Sequence, residues 1–197
     1  MALVDRAQRI ITAPAAEWPV IATEPATVGA LYSGYIVPLA LIAPICSFVS
    51  SAIFLHRPGG IVAAAVIAVM SFVLELVNVF IVALIAEALA PSFNGVKDRI
   101  QALKWVSYSY TAKWVSGIAL LIPIAGALIA LIGGLYSLYT LYLGAVPMIK
   151  VPQEKAVGYV VVVILVAIVI AVIITFIVGI VFAMMAAGAI MSTGGIH

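Results

Sequence analysis

Charge is what this sequence lacks most. Only 8% of its 197 residues are Asp, Glu, Lys or Arg, against about 25% in an ordinary soluble domain. It has no block of like charge, no basic patch and no RNA- or DNA-reading motif, which excludes nucleic acid as a partner. Cysteine is nearly absent: Cys46 is the only one, excluding an internal disulfide and a cysteine metal cluster. Cys46 sits in an apolar run and reads as a small buried hydrophobe. Ile45 before it is too bulky for a lipoprotein cleavage site. Histidine is equally scarce. His56 falls on an expected turn and His197 is the last residue, so neither enters a triad or a metal-ligand spacing. The glycine pairs Gly59-Gly60 and Gly133-Gly134 are followed by no phosphate-loop lysine. The expectation is therefore a protein without metal or cofactor and not an enzyme. A hydrolase using Ser71 with Glu75 is the weak alternative.

What the sequence does have is apolar length. Hydrophobic residues make up 66% of the chain and are spread over all of it, so it reads as one membrane domain and not as a soluble domain with an anchor. The first apolar segment starts after Pro25 and is too long for a signal-peptide core, so no cleavable leader is expected. A crossing needs about 20 helical residues. Spans are predicted at about 28–54 and 61–89, separated by the turn His56 to Gly60, and at about 157–186. The uncharged stretch from Trp114 to Ile149 would be roughly 54 Å long as one helix, too long for one crossing. A reversal at Pro123 to Gly126 divides the region into spans at about 102–121 and 126–148.

Loop charge supports that division. With five spans, one side collects Arg6, Arg9, Lys97, Arg99, Lys104, Lys150 and Lys155, and the other only Arg57. Four spans would largely erase the asymmetry, so the positive-inside rule favours five, with the N-terminus cytoplasmic and the C-terminus outside. Residues 1–24 form an arm, and 25–197 the transmembrane domain. In the arm, Leu3, Val4, Ala7, Ile10 and Ile11 keep helical spacing opposite Asp5, Arg6, Gln8 and Arg9, which predicts a short amphipathic helix on the membrane surface. Trp18 reads as an interfacial anchor. A frayed terminus is the alternative. The fold class is thus all-α and polytopic.

Three stretches carry a family resemblance: "APAAEWPVIATEPAT" in the arm, "GALYSGYIVPLA" opening the first span, and "LYSLYTLYLGAVPMIKVPQEKAVGY". The chain resembles the bacterial branch of the Yip family, the Ypt/Rab-interacting membrane proteins, over nearly its whole length. The resemblance implies five spans and a cytoplasmic N-terminus, in a bacterial inner membrane. Eukaryotic members act in Golgi and endoplasmic-reticulum trafficking and bind prenylated Rab-type GTPases and one another. Where those members read Leu-Tyr-Gly-Pro, this chain has Leu31, Tyr32, Ser33 and Gly34, with Pro38 later. Their long N-terminal region is not in this sequence, so Rab binding is not carried over.

Candidate site residues follow from the cost of polarity inside a membrane. Glu75 lies mid-span with Ser71 and Asn78 near the same face, and Lys113 lies at similar depth on the next span, so Glu75 and Lys113 are expected to pair. Tyr136 and Tyr139 of the fourth span are expected to join that polar centre, while Tyr142 suits a headgroup belt. Gly126, Ala130 and Gly134 form a small-residue seam for close helix approach, and Gly179, Ala183 and Ala187 form a second one suited to self-association or another membrane protein. Glu87 is near the cytoplasmic end and can reach water or Lys104. Two readings remain. One is a membrane-organising or interaction protein with a dry, paired bundle. The other is a small transporter or channel with a hydrated cavity at Glu75, Asn78 and Lys113.

Overall fold

A computed structural model describes residues 3–53, 60–122, 124–170 and 172–173, and all regular structure among them is helical. Two short helices come first. The first, α1 (Leu3–Thr12), ends where Thr12 returns its hydroxyl to Gln8 O (2.9 Å). Pro14 then opens α2 (Pro14–Thr23), a first-turn position where its missing N–H costs nothing. Among the described residues, four helices are long and apolar enough to cross a membrane. They are α3 (Val28–Ile53), α4 (Gly60–Leu89, extended by a 3₁₀ turn to Phe93), α7 (Ala125–Ile149) and α8 (Gln153–Ile170).

Helix α3 starts at Thr27, whose side chain accepts from the Ala30 N–H (3.2 Å), and it is irregular thereafter. A π turn over Tyr32–Ile36 precedes Pro38, and Pro44 follows inside the same span. Each proline removes a donor, and a wider turn relieves the clash of its ring with the preceding carbonyls. After α4, Asn94 turns the chain in the left-handed region (φ 62°).

Between α4 and α7 the chain does not form one continuous helix. It runs as α5 (Arg99–Ser109), α6 (Thr111–Ser116) and a 3₁₀ turn, Gly117–Leu121. Asp98 starts α5 by accepting from the Gln101 N–H (3.0 Å). This broken run is antiparallel to both neighbours. Arg99 meets Glu87 and Lys113 meets Glu75 along α4, while Trp105 meets Leu141 and Thr140 meets Ser109 along α7. It is also the most enclosed part of the fold: Ala102, Leu103, Trp105, Val106 and Trp114 are all buried. The reversal into α7 passes through Ile124, which holds φ at 68°, an outlying value for a β-branched residue. Lys150 closes α7 in the left-handed region, its N–H bonded to Val146 O (3.0 Å).

The arm differs from expectation. Of its apolar face, Ala7 and Ile10 are buried, but Val4 is exposed and Arg6 is buried. Trp18 is fully buried and donates Nε1–H to Thr140 O (3.1 Å), so it is no interfacial anchor. The reason is Gly144 of α7. A Cβ there would lie 2.7 Å from Trp18 and 2.6 Å from Trp105, so only glycine lets both indoles reach the helix. The arm is thereby wedged into the bundle between α5 and α7. Expected span 157–186 is described only as far as Ile170 in helical continuity, so Gly179, Ala183 and Ala187 lie outside the described residues.

Candidate functional site

The centre is built where α5 breaks. Tyr110 ends α5, and Thr111 turns its hydroxyl back to Tyr108 O (2.7 Å), the local competition that hydroxyl side chains offer a helix. The interrupted backbone is repaired from α7. The Lys113 N–H donates to Ser137 Oγ (3.0 Å), and the Thr140 hydroxyl reaches Ser109 O (3.1 Å) and Ser137 O (2.9 Å). Backbone groups left open in a membrane interior would each cost several kcal/mol, so these two side chains hold the break in place.

Lys113, fixed by this repair, points at Glu75 of α4. Its Nζ lies 2.8 Å from each carboxylate oxygen, and Trp114 Nε1 donates to Oε1 at 2.8 Å. The ammonium also lies 4.8 Å from the centre of the Tyr110 ring. Glu75 is thus enclosed by three donated bonds and is 17% exposed at its side chain, while Lys113 is 40% exposed. A cavity of about 240 Å³ adjoins the pair; Glu75, Lys113 and Trp114 form one end of its lining, with Ser47, Ser51 and Ser71 along its walls. Asn78 is not part of that lining.

The expected tyrosines do not join this centre. Tyr136 donates its hydroxyl to Ile11 O of the arm (2.6 Å), and Tyr139 is half exposed. Ser137, Thr140 and Gly144 face the protein interior, and at 100° per residue that turns Tyr136 and Tyr139 elsewhere. The same phase corrects the seam. A Cβ on Gly133 would lie 2.0 Å from Ser116 Oγ and one on Gly126 1.9 Å from Ala119 O, whereas Gly134 has nothing within 4 Å. Ala130 is partly buried. The close approach therefore runs through Gly126, Gly133 and Gly144.

A second polar cluster has no counterpart in the sequence reading. Arg6 is buried between Glu17 and Glu24, pairs with both, and lies 5.8 Å from the centre of the Tyr108 ring. Arg9 reaches Glu17 (3.1 Å), and Lys104 Nζ donates to Glu24 O (2.7 Å). Burial works against the Arg6 charge, but the hydrogen bond to Glu24 and the charges of Glu24 and Glu17 outweigh it, leaving its pKa above the usual guanidinium value. The available signal was the spacing of Glu17, on α2, and Glu24, the residue that follows the helix, two turns further on. Glu87, expected to reach water or Lys104, pairs with Arg99 (2.9 Å). No group of His, Cys, Asp and Glu suited to a metal occurs among the described residues.

Comparison with known proteins gives one family. The family model of the Yip1 domain matches residues 9–175. No curated protein and no solved structure matches the chain.

Proposed function

The chain belongs to the Yip1 domain family, and from that premise we propose that it is a non-enzymatic, five-span protein of a bacterial cytoplasmic membrane that organises the membrane or binds other membrane proteins. Helices α5 and α6 with their 3₁₀ turn supply the fifth crossing. Residues 99–121 measure roughly 34 Å as helix and lie antiparallel to two apolar spans. Their burial among other helices explains why they need little lipophilicity. The N-terminus and the loops at 94–98 and 150–152 lie on the cytoplasmic side; that the two loops share one side is supported by the bond from Val96 N–H to O of Ile149, the last residue of α7 (2.8 Å). The α1 helix meets the membrane surface through its exposed Val4, and membrane lipids are its immediate surroundings.

One observation carries the organising role: the mid-membrane charges are closed on each other, with Glu75 taking both Lys113 and Trp114. A paired centre serves helix packing and leaves the outer faces of the bundle for partners. Crosslinking in native membranes should trap a dimer or a heteromer, and proteoliposomes should retain a solute gradient. Solute flux abolished by Glu75→Gln in a folded protein would replace this reading with the second one, a small transporter. The cavity beside the pair is what favours that second reading.

A further inference from the structure

The cavity next to Lys113 has the chemistry of an anion site with an apolar wall. Lys113 is the more accessible of the two charges, at 40% against 17% for Glu75. An ammonium has three donors, and Glu75 occupies two of them, leaving one. Ser33 and Ser107 return their hydroxyls to the carbonyl four residues back, at Gly29 (2.8 Å) and Leu103 (2.6 Å), and Ser116 to Lys113 O (3.0 Å). Ser47, Ser51 and Ser71 have no such bond among the described residues, and all three line the cavity. An ammonium donor and three unspent hydroxyls around one space favour an oxyanion.

The remaining wall argues against a bare ion. Ala40, Pro44, Phe48 and Ile67 face the same space. At about 240 Å³ it is smaller than the pockets that take drug-sized molecules, which start near 300 Å³. It has room for a headgroup and a few carbons. Pro44, Phe48 and Ala68 also line a second space of about 240 Å³ on the far side of the α3–α4 contact, with no polar lining at all. Pro44, Phe48 and Ala68 are thus a wall shared by the Lys113 cavity and an apolar groove. We propose that the Lys113 cavity binds the phosphate headgroup of a single-chain anionic amphiphile, whose hydrocarbon lies along the α3–α4 groove. The inference is independent of the organising role, since a scaffold and a transporter could each hold such a ligand.

The test uses the full chain in neutral maltoside detergent, with dodecyl phosphate, dodecylphosphocholine and inorganic phosphate as probes. Binding is read from indole fluorescence, since Trp114 lines the cavity, and from adducts in native mass spectrometry. Dodecyl phosphate should bind at least ten-fold more tightly than dodecylphosphocholine, and inorganic phosphate should not displace it. Lys113→Gln and Ser47→Phe should each weaken binding at least ten-fold. Ser47 is exposed to the cavity, so the larger ring fills the space while leaving the ion pair and the melting temperature intact. If Lys113→Gln does not fold, Ser47→Phe decides. Three results would overturn the proposal: undiminished binding by folded Ser47→Phe, equal binding of dodecylphosphocholine, which is simple partitioning, or displacement by inorganic phosphate, which is a free-anion site. Absence of dodecyl phosphate binding to the unaltered chain overturns it as well.

Discussion

Removing Glu75 tests whether the centre holds the bundle together. Glu75→Ala deletes three bonds of 2.8 Å and strands both the Lys113 ammonium and the Trp114 indole N–H. Breaking a fully buried ion pair from one side costs about 3–5 kcal/mol. Lys113 is 40% exposed at its side chain, so a smaller loss of about 2–3 kcal/mol is expected once that accessibility is discounted. Lys113→Ala should cost less, about 1–2 kcal/mol, because Glu75 keeps the Trp114 donor. The double variant leaves no stranded charge and should lose only about 2 kcal/mol, which makes the coupling in the cycle about 2 kcal/mol. Thermal unfolding of the four proteins in one detergent measures it, with shifts of about 2–4 °C per kcal/mol for a chain of this size. Strictly additive losses, with coupling under about 0.5 kcal/mol, would mean that the two residues act separately and that the pairing has no structural role.

Other changes probe the arm and the phase of α7. Gly144→Val should cost more than about 3 kcal/mol by forcing Trp18 and Trp105 apart, whereas Gly134→Ala, with open space around it, should be neutral or stabilising by up to about 1 kcal/mol; melting temperatures separate the two. Tyr136→Phe removes the bond to Ile11 O and should cost about 1 kcal/mol with faster amide exchange in α1, while Tyr139→Phe should change neither. Arg6→Gln leaves Glu17 and Glu24 without their shared cation, so the arm should loosen and Trp18 emission should shift to the red; an unshifted spectrum would show that Gly144 packing alone retains the arm. Reporter fusions after Leu89, Lys150 and His197 test the five-span topology, and a cytoplasmic His197 reporter would refute it.

What could be read from the sequence divides along a physical line: whether a helix faces lipid or protein. Helices α3, α4 and α7 matched their expected spans to within a few residues because lipid contact demands long apolar runs. The stretch from Arg99 to Leu121 gave no such signal. Lys104, Ser107 and Thr111 are buried in it, and a helix surrounded by other helices can carry them because each finds a partner. Its place had to be inferred from loop charge. The Glu75–Lys113 contact was legible for a related reason: a mid-membrane charge must find an opposite one, and only one candidate lay at the right depth.

The rotation of α7 was not legible, and the misplaced tyrosines follow from it. Tyr136, Tyr139 and Tyr142 are large and polar at one end, so they stand out as the residues most in need of protein contacts. The helix is oriented instead by its smallest side chains. Gly126, Gly133 and Gly144 admit neighbours that a Cβ would repel, and Ser137 and Thr140 complete a backbone broken on another helix. None of these five is distinctive by itself, because each matters only through a partner on another segment. The arm shows the same dependence. Its buried Arg6 would be too costly alone, and it is stable only because Glu17 and Glu24 fold over it while Trp18 enters the notch at Gly144. Amphipathic spacing describes α1 in isolation; the pairing of Arg6 with Glu17 and Glu24, on a segment anchored by Trp18 in the α7 notch, holds its Arg6 side inward.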